Sequence, residues 1–425
     1  MKEKIKNGTL LALFFTVFVD MIGVGIVIPV FPLLFADSHS GVFASEIPLA
    51  SRLLVYGFLA ACYPLAQFFG APILGALSDR YGRKPILTIS LFGTLVGYIL
   101  FAWSVKEGNL YLMFFSRALD GFTGGNISIA MSSIADISDA KSKTKNFGLI
   151  GMAFGLGFIL GPYIGGKLAD PSIVSWFSYA TPFWAAAFLA LCNLFLISFI
   201  YKETIKTKVN TPVSFTTGFK NIGKAFSVPN LRVIFTVLFF LTFGFSFFTQ
   251  FFQIFLSEKF KYTSSQVGDI FAYIGVWIAL TQGGLTRILS KIFTPVQIMS
   301  ICIFILGITF FVLVVPDDKI WIFLILPFVA INQGLIAPNS TTLVSAQAPN
   351  ESQGEILGIS QSVQSLAQAI PPIIAGIIVS INLELPILVA ATCTLLAGII
   401  FVLFFKRNSK NLIRKKIIIL EQNLI

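Results

Sequence analysis

Residues Gly75–Leu87 read GALSDRYGRKPIL and lie between two long apolar runs. Six positions hold Asp79, Arg80, Arg83 and Lys84, and Pro85 then opens the next helix, where a missing N–H costs nothing. Charge at that density cannot lie in hydrocarbon, while the runs on either side have the length and composition of lipid-embedded helices. The stretch is therefore a tight hairpin at a membrane face. Its basic residues assign it to the cytoplasmic face by the positive-inside bias.

The rest of the chain agrees. Of 425 residues, 56% are hydrophobic and 12% charged, and mean hydropathy is +0.86; soluble proteins run at roughly 45–50% and 25%. Apolar runs of about 20 residues recur along the whole length, the signature of an all-α polytopic membrane protein. The runs are continuous rather than alternating in about ten-residue pieces, which argues against a β-barrel. A net charge of +11 would suit a nucleic-acid partner. The Lys and Arg instead cluster in short loops on one side with no aromatic interleaving, so no such partner is expected. Cys62, Cys192, Cys302 and Cys393 fall in separate apolar runs without CxxC or metal spacing, and read as packing residues. The N-terminal MKEKIKNGTL resembles a signal-peptide n-region. The apolar run after it is too long, carries Asp20 and lacks a small-residue cleavage site, so it reads as the first membrane helix.

Twelve spans are expected, at 9–35, 51–77, 85–104, 110–136, 146–168, 180–201, 229–256, 266–290, 296–315, 320–346, 355–380 and 385–406. Several exceed the roughly 20 residues a bilayer needs, which implies tilt or extension into solvent. With both termini inside, the inner loops carry 23 of the 30 basic residues and the outer loops six, Arg52, Lys106, Lys167, Lys259, Lys261 and Lys319. That asymmetry predicts a multi-pass protein of a plasma membrane, bacterial inner membrane by preference, with both ends cytoplasmic. The polar connection Lys202–Val228 divides the chain into a bundle of six helices over 1–201, a cytoplasmic linker over 202–228, a second bundle over 229–408 and a basic cytoplasmic tail over 409–425. An internal repeat supports the division. A shift of about 208 sets Gly75, Leu77, Asp79 and Arg83 against Gly283, Leu285, Arg287 and Lys291, and a shift of about 210 sets Gly148, Pro162 and Gly166 against Gly358, Pro372 and Gly376. A monomer is expected, surrounded by membrane lipids.

No catalytic set, phosphate-binding loop or metal cluster is visible, and the sole histidine, His39, sits in the first outer loop. Neither an enzyme nor a bound cofactor or metal is expected, and ATP is not the energy source. Intramembrane charge is the signal that remains, because an ionisable group at depth costs at least about 2.5–3.5 kcal/mol and is functional by default. Asp20 lies mid-span 1. Arg117 and Asp120 lie in span 4 one turn apart and can pair on one helix face. A rise of about 1.5 Å per residue puts Asp20 roughly 10 Å deeper than Arg117, a gap that water or substrate could occupy. These three read either as a polar brace or as a proton-coupling site. In span 5, Gly151, Gly155 and Gly157 admit a neighbouring backbone, and Gly161-Pro162 bends the helix, so Gly151, Gly155, Gly161 and Pro162 form a packing and hinge element. Gln361, Gln364 and Gln368 recur at i, i+3 and i+7 in span 11, a spacing that serves cavity lining or helix contact equally well. Together with Gln250 and Gln253 of span 7, and with Asn126, Asn332 and Gln333, they are the candidate substrate-binding residues.

These residues also carry a resemblance. GALSDRYGRKPIL is similar to the loop 2–3 signature of the major facilitator superfamily, RALDGFTGG (Arg117–Gly125) to its span 4 signature, and GLGFILGPYIGG (Gly155–Gly166) to the span 5 signature of its drug:proton antiporters. VDMIGVGIVIPVFP and SSIADIS most resemble the tetracycline-efflux-like branch. The resemblance implies two pseudo-symmetric six-helix bundles rocking about a central cavity, a cytoplasmic latch of Asp79 and Arg83 with Asp136 as partner, and Asp20 and Arg117 in proton or substrate handling. Tetracycline pumps of the family carry further essential acids in spans 3 and 9. Here the matching part of span 3, LFGTLVGY, has Gly97 and span 9 has no acid, which argues against tetracycline as the substrate. The expected function is proton-coupled export of a small amphipathic organic solute or drug. The alternatives are a lipid or lipid-conjugate flippase, or a siderophore exporter, on the same scaffold. A non-transporting receptor or scaffold would be marked by a large soluble appendage.

The loop QAPNESQGE before span 11 has no Lys or Arg and carries Glu351 and Glu355, which on this topology face Arg80, Arg83 and Lys84 across the inner mouth. Those charges would close an inner gate. Glu351→Lys with Glu355→Lys is expected to favour inward opening, read as faster labelling of inner-face cysteine probes; unchanged accessibility would remove the two acids from the gate.

Overall fold

Continuous apolar sequence in lipid must satisfy its own backbone, and helices do so locally. The computed structural model describes residues 2–44, 46–138, 143–205, 214–227, 229–347 and 353–406, with no strand among them. The first half holds α1 (Lys2–Ala36), α2 (Leu49–Tyr81), α3 (Arg83–Glu107), α4 (Leu110–Thr123), α5 (Asn126–Ile137), α6 (Lys143–Leu168) and α7 (Thr181–Phe199). A short helix, α8 (Thr217–Ser227), follows in the linker. The second half holds α9 (Pro229–Phe260), α10 (Ser264–Leu280), α11 (Thr286–Leu289), α12 (Pro295–Val314), α13 (Lys319–Gln347), α14 (Gln353–Ala369), α15 (Pro371–Ile378) and α16 (Leu385–Ile400). Each half packs as a six-span bundle, giving an all-α, twelve-span membrane fold of two pseudo-symmetric bundles. Glu351 and the tail 409–425 lie outside the described residues, as does the side chain of Glu355.

Among the described residues, eight helices are by themselves long and apolar enough to cross a membrane. Three of the other spans are built in pieces, with physical reasons in the sequence. Span 4 breaks between α4 and α5 at Gly124-Gly125, where α2 presses in: a Cβ on Gly125 would lie 2.6 Å from the Ala71 Cα. Span 11 breaks at Ile370, because Pro371 and Pro372 can start a helix but not continue one. Span 8 passes through a π turn, Thr281–Leu285, between α10 and α11. Exposed Trp103, Phe188, Phe199 and Trp321 lie on the outside, as expected of a surface solvated by lipid. Cys302 and Cys393 are buried as expected of packing residues, while Cys192 is exposed. Arg52, at the outer end of expected span 2, is buried and donates to the Ala36 carbonyl at 2.8 Å.

The helix α6 runs unbroken through Pro162, and its glycines serve close approach to α1. A Cβ on Gly161 would lie 2.7 Å from the Cα of Gly25, and one on Gly165 would lie 2.8 Å from the Cα of Ile26. The same device joins the bundles toward the face opposite the Gly75–Leu87 hairpin. Gly166 and Gly275 of the α6–α10 seam would meet Gly268 and Ile159, each at 2.9 Å from the Cα, and Gly57 of α2 abuts the Pro372 carbonyl. The Tyr56 hydroxyl donates to Gln250 Oε1 at 2.9 Å, and Gln253 Nε2 donates to the Ile28 carbonyl at 2.7 Å, tying α9 to α2 and α1. Toward the hairpin face, among the described residues, Gly75, Gly283, Gly284 and Gly358 meet nothing within 4 Å. There the linker helix α8 sits between the halves, with Phe219 against Phe68 of α2 and Asn221 Nδ2 donating to Ser362 Oγ of α14 at 3.2 Å. Among the described residues, the close backbone approaches between the bundles are concentrated on one face.

Because the atoms around Gly161 are backbone, they cannot move aside for a side chain. Gly161→Leu should cost at least about 1–3 kcal/mol, seen as a lower thermal midpoint in detergent. Gly223→Ala, in open space on α8, should not lower it.

Candidate functional site

Three charges are enclosed among the helices of the first half. Arg117 and Asp120 are one turn apart on α4, and Arg117 Nη1 donates to Asp120 Oδ2 at 2.8 Å, with side-chain exposures of 8% and 3%. The guanidinium also lies 4.7 Å from the Tyr63 ring centre and 5.2 Å from that of Phe31, so its faces are covered by aromatic surface. Space for Asp120 comes from Gly97 on α3: a Cβ there would be 2.9 Å from the Asp120 Cβ. Any larger residue at 97, an acid included, would collide with the carboxylate-bearing turn of α4. Thr94 and Thr123, 3.3 Å apart, and Ser90, which donates to the Thr123 carbonyl, complete the polar wall.

Asp20 sits half-buried on α1 and faces Asn126 and Asp120. One of its carboxylate oxygens is buried without a protein partner, as are both amide atoms of Asn126 and Nε of Arg117. No bridge joins Asp20 to Arg117, in keeping with the depth difference inferred from the helix rise. Each unpaired buried group costs about 1–3 kcal/mol. A set of them converging on one spot is poised to exchange partners, whether protons, water or a polar ligand. Across the seam, Gln253 Oε1 and Ser365 Oγ are buried and unpartnered too.

The neutral candidates divide. Gln250 and Gln253 are engaged as ties in the closed seam. Asn332 is buried and bonds its own helix at the Phe328 carbonyl, 2.7 Å away, and Gln333 is half-buried. Gln364 bonds Ser360 Oγ at 3.2 Å, Gln361 is half-buried, and Gln368 is exposed. A Cβ on Gly155 would lie 3.9 Å from Gln282 Oε1, and Gly151 lies in α6. Tyr56, Tyr63 and Tyr98 border the cluster or the seam and were not singled out from sequence, since a tyrosine in an apolar helix carries no distinguishing pattern. Gly23 alone gives a hint: it lies against the Tyr98 hydroxyl, where a side chain would not fit.

At the hairpin face, Arg83 binds Asp79 Oδ1 at 2.6 Å, Ser78 Oγ at 2.7 Å and Asp136 Oδ2 at 3.1 Å. Gly82, with φ of 118°, makes the reversal that a side chain would strain. Arg80 stacks over Tyr81 at 5.3 Å. Sequence reading missed Glu203, just beyond α7, which accepts from the backbone N–H groups of Arg83 and Lys84 at 3.0 Å each and so caps α3 from outside. Lys84 in turn donates to the Ser198 carbonyl at 2.8 Å, and Thr204 donates to Asp136 at 3.2 Å. Burial works to raise the Glu203 pKa. The backbone N–H groups of Ile205, Lys84, Arg83 and Thr204 together outweigh it and hold the carboxyl below its ordinary value. A depressed carboxylate stabilises the fold above its unfolded pKa, and that contribution is lost as pH falls through the folded value.

Residues 13–372 match the sequence profile of the Major Facilitator Superfamily, and the chain belongs to that family of membrane transporters. It is 30% identical to the class C tetracycline resistance protein of Escherichia coli over 87% of this chain and 89% of that one. Identity is 29% both to multidrug resistance protein 1 of Bacillus subtilis, over 94% and 97% of the two chains, and to quinolone resistance protein NorA of Staphylococcus aureus, over 96% and 98%. Among solved structures, the human organic anion transporter MFSD10 superposes with a TM-score of 0.71 at 21% identity, covering 93% of this chain and 99% of that one. That likeness concerns the fold.

Glu203→Gln should lower stability at neutral pH by about 0.3–1 kcal/mol, the range for an exposed helix-end carboxylate. Thermal melts in detergent should show the deficit against wild type shrinking as pH drops below the ordinary glutamate range.

Proposed function

We propose that this transporter exports a small amphipathic organic solute in exchange for protons, by alternating exposure of a site between its bundles. The observation that carries the reading is Asp20, a carboxylate on α1 with one buried oxygen unpartnered, beside the neutralised Arg117–Asp120 pair. With Arg117 and Asp120 cancelling, the cluster is net negative when Asp20 is ionised and neutral when it is protonated. A proton and a substrate that favour opposite states of this one group bias the same two-state equilibrium, which is what coupling requires. The export direction is supported by the printed functions of the relatives, which are resistance proteins against tetracycline, quinolones and multiple drugs. Gly97, packed against Asp120, and the acid-free span 9 support a substrate other than tetracycline.

The clustering of basic residues at the hairpin face supports a cytoplasmic assignment for that face and for both termini. On that assignment the described state is closed outward and open inward. The domain limits read from the sequence, 1–201, 202–228, 229–408 and 409–425, are proposed as the moving and connecting parts. Asp79, Arg83 and Asp136 form the inner charge cluster, and Asn126 and the span 11 glutamines are proposed to face the solute.

The test uses proteoliposomes. Asp20→Asn should abolish uphill efflux driven by an imposed pH gradient while leaving substrate exchange measurable. If gradient-driven efflux survives at wild-type rate, Asp20 is not the coupling group and the reading fails.

A further inference from the structure

The inner hairpin motif has an echo that the repeat shift does not produce. Gly75–Asp79 reads GALSD at the end of α2, and Gly166–Asp170 reads GKLAD across the end of α6. Each helix is the middle one of three successive spans, and the chain runs through them in opposite directions, so the two segments lie on opposite faces. Their surroundings differ as two positions of one device would. Gly75 meets nothing within 4 Å, and Asp79 is turned to Arg83 within its own bundle. Gly166 is clamped on the other bundle, where a Cβ would lie 2.9 Å from the Cα of Gly268. Lys167 Nζ donates to Ser265 Oγ at 2.7 Å and to Asp269 Oδ2 at 2.9 Å, both on α10. Asp170, 7% exposed, faces the Thr263 hydroxyl and the Ser265 N–H at the amino terminus of α10, where Thr263 and Gln266 form a capping box. Anion and helix terminus attract through the unpaired N–H groups and the helix dipole. Asp170 also accepts from Ser172 N and Oγ at 2.9 and 2.6 Å, which hold its carboxylate in place.

We propose that GKLAD is the lock of the outer face, gripping the amino terminus of α10 while the transporter is open inward, the opposite-face counterpart of the cytoplasmic latch that the resemblance assigns to Asp79 and Arg83. Lys167 and Asp170 are its positioning residues, and neither touches the solute. The inference rests on the alternating-access part of the proposed function. It does not depend on proton coupling. For a solute to leave toward either face the lock on that face must be released, so weakening one lock shifts the balance between inward- and outward-open states. Burial pushes the Asp170 carboxyl up, and its contacts with Ser172, Thr263 and Ser265 more than offset this, so the residue is ionised at neutral pH. The lock faces a cavity of about 510 Å³ at the outer mouth, lined in part by Asp37, Tyr179, Glu258 and Tyr262, so solvent reaches the contacts that must break.

The test needs no gradient. In a full-length chain with its four cysteines replaced, Ile28→Cys places a thiol inside the closed outer seam. Its labelling by a membrane-impermeant maleimide, in vesicles oriented outer face out, reads outward opening. Lys167→Gln and Asp170→Asn should each speed labelling by about two- to fivefold, the effect of an exposed helix-end or paired charge. Asp79→Asn should slow it, and adding Asp79→Asn to Asp170→Asn should bring the rate back toward wild type. Asp269→Asn removes the Lys167 tie from the other side and should act like Lys167→Gln, which guards against a misfolded α6 variant. Unchanged labelling in Lys167→Gln, Asp170→Asn and Asp269→Asn overturns the proposal, as does a shift in the same direction from Asp79→Asn and Asp170→Asn. A surviving Asp20→Asn exporter would defeat proton coupling and leave this result standing.

Discussion

A guanidinium held 2.8 Å from a carboxylate inside a lipid-embedded shell is the constraint the rest of the molecule serves. Neither ion tolerates hydrocarbon, and removing one partner of such a pair strands the other at a cost of about 3–5 kcal/mol. Arg117 must therefore be enclosed by protein, and the surrounding helices provide the enclosure: aromatic faces from Phe31 and Tyr63, and a wall of hydroxyls from α3 and α4. Asp20 is tolerated for the same reason, at the edge of the same enclosure.

Enclosure alone would make a static bundle. Mobility comes from how the halves touch. In a membrane no hydrophobic force drives helices together, so contact depends on close backbone approach and a few hydrogen bonds. Those contacts lie along α6–α10, α2–α15 and α1–α9 toward one face, through Gly166, Gly275, Gly57 and the two glutamine ties. Such seams are made of several weak, similar interactions rather than one strong one. In this arrangement the hairpin-face charge cluster of Asp79, Arg83 and Asp136 lies within its own bundle.

Residue by residue, some groups are conspicuous in the sequence and others only in the fold. Asp20, Arg117 and Asp120 stood out because a charge within an apolar run is rare enough to be noticed alone, Arg83 belonged to a dense charged hairpin, and Asp136 came only with the resemblance. Glu203 did not, since an acid in a polar linker is ordinary until Arg83 and Lys84 are seen to present their N–H groups to it from about 120 residues away. Gly161-Pro162 suggested a bend; α6 stays one continuous helix through it, and Gly161 packs against the backbone of α1. Gln250 and Gln253 looked like cavity residues and are occupied as ties, a distinction that depends on what faces them.

Hydropathy, loop charge and three local motifs were enough to determine the spans, the two halves and the superfamily, because lipid imposes those features on each segment separately. Only tertiary structure decided on which face the close approaches between the bundles concentrate, which glycine meets which backbone, and that Gly97 makes room for Asp120. Those outcomes depend on pairs of residues far apart in the chain, whose juxtaposition no local pattern encodes.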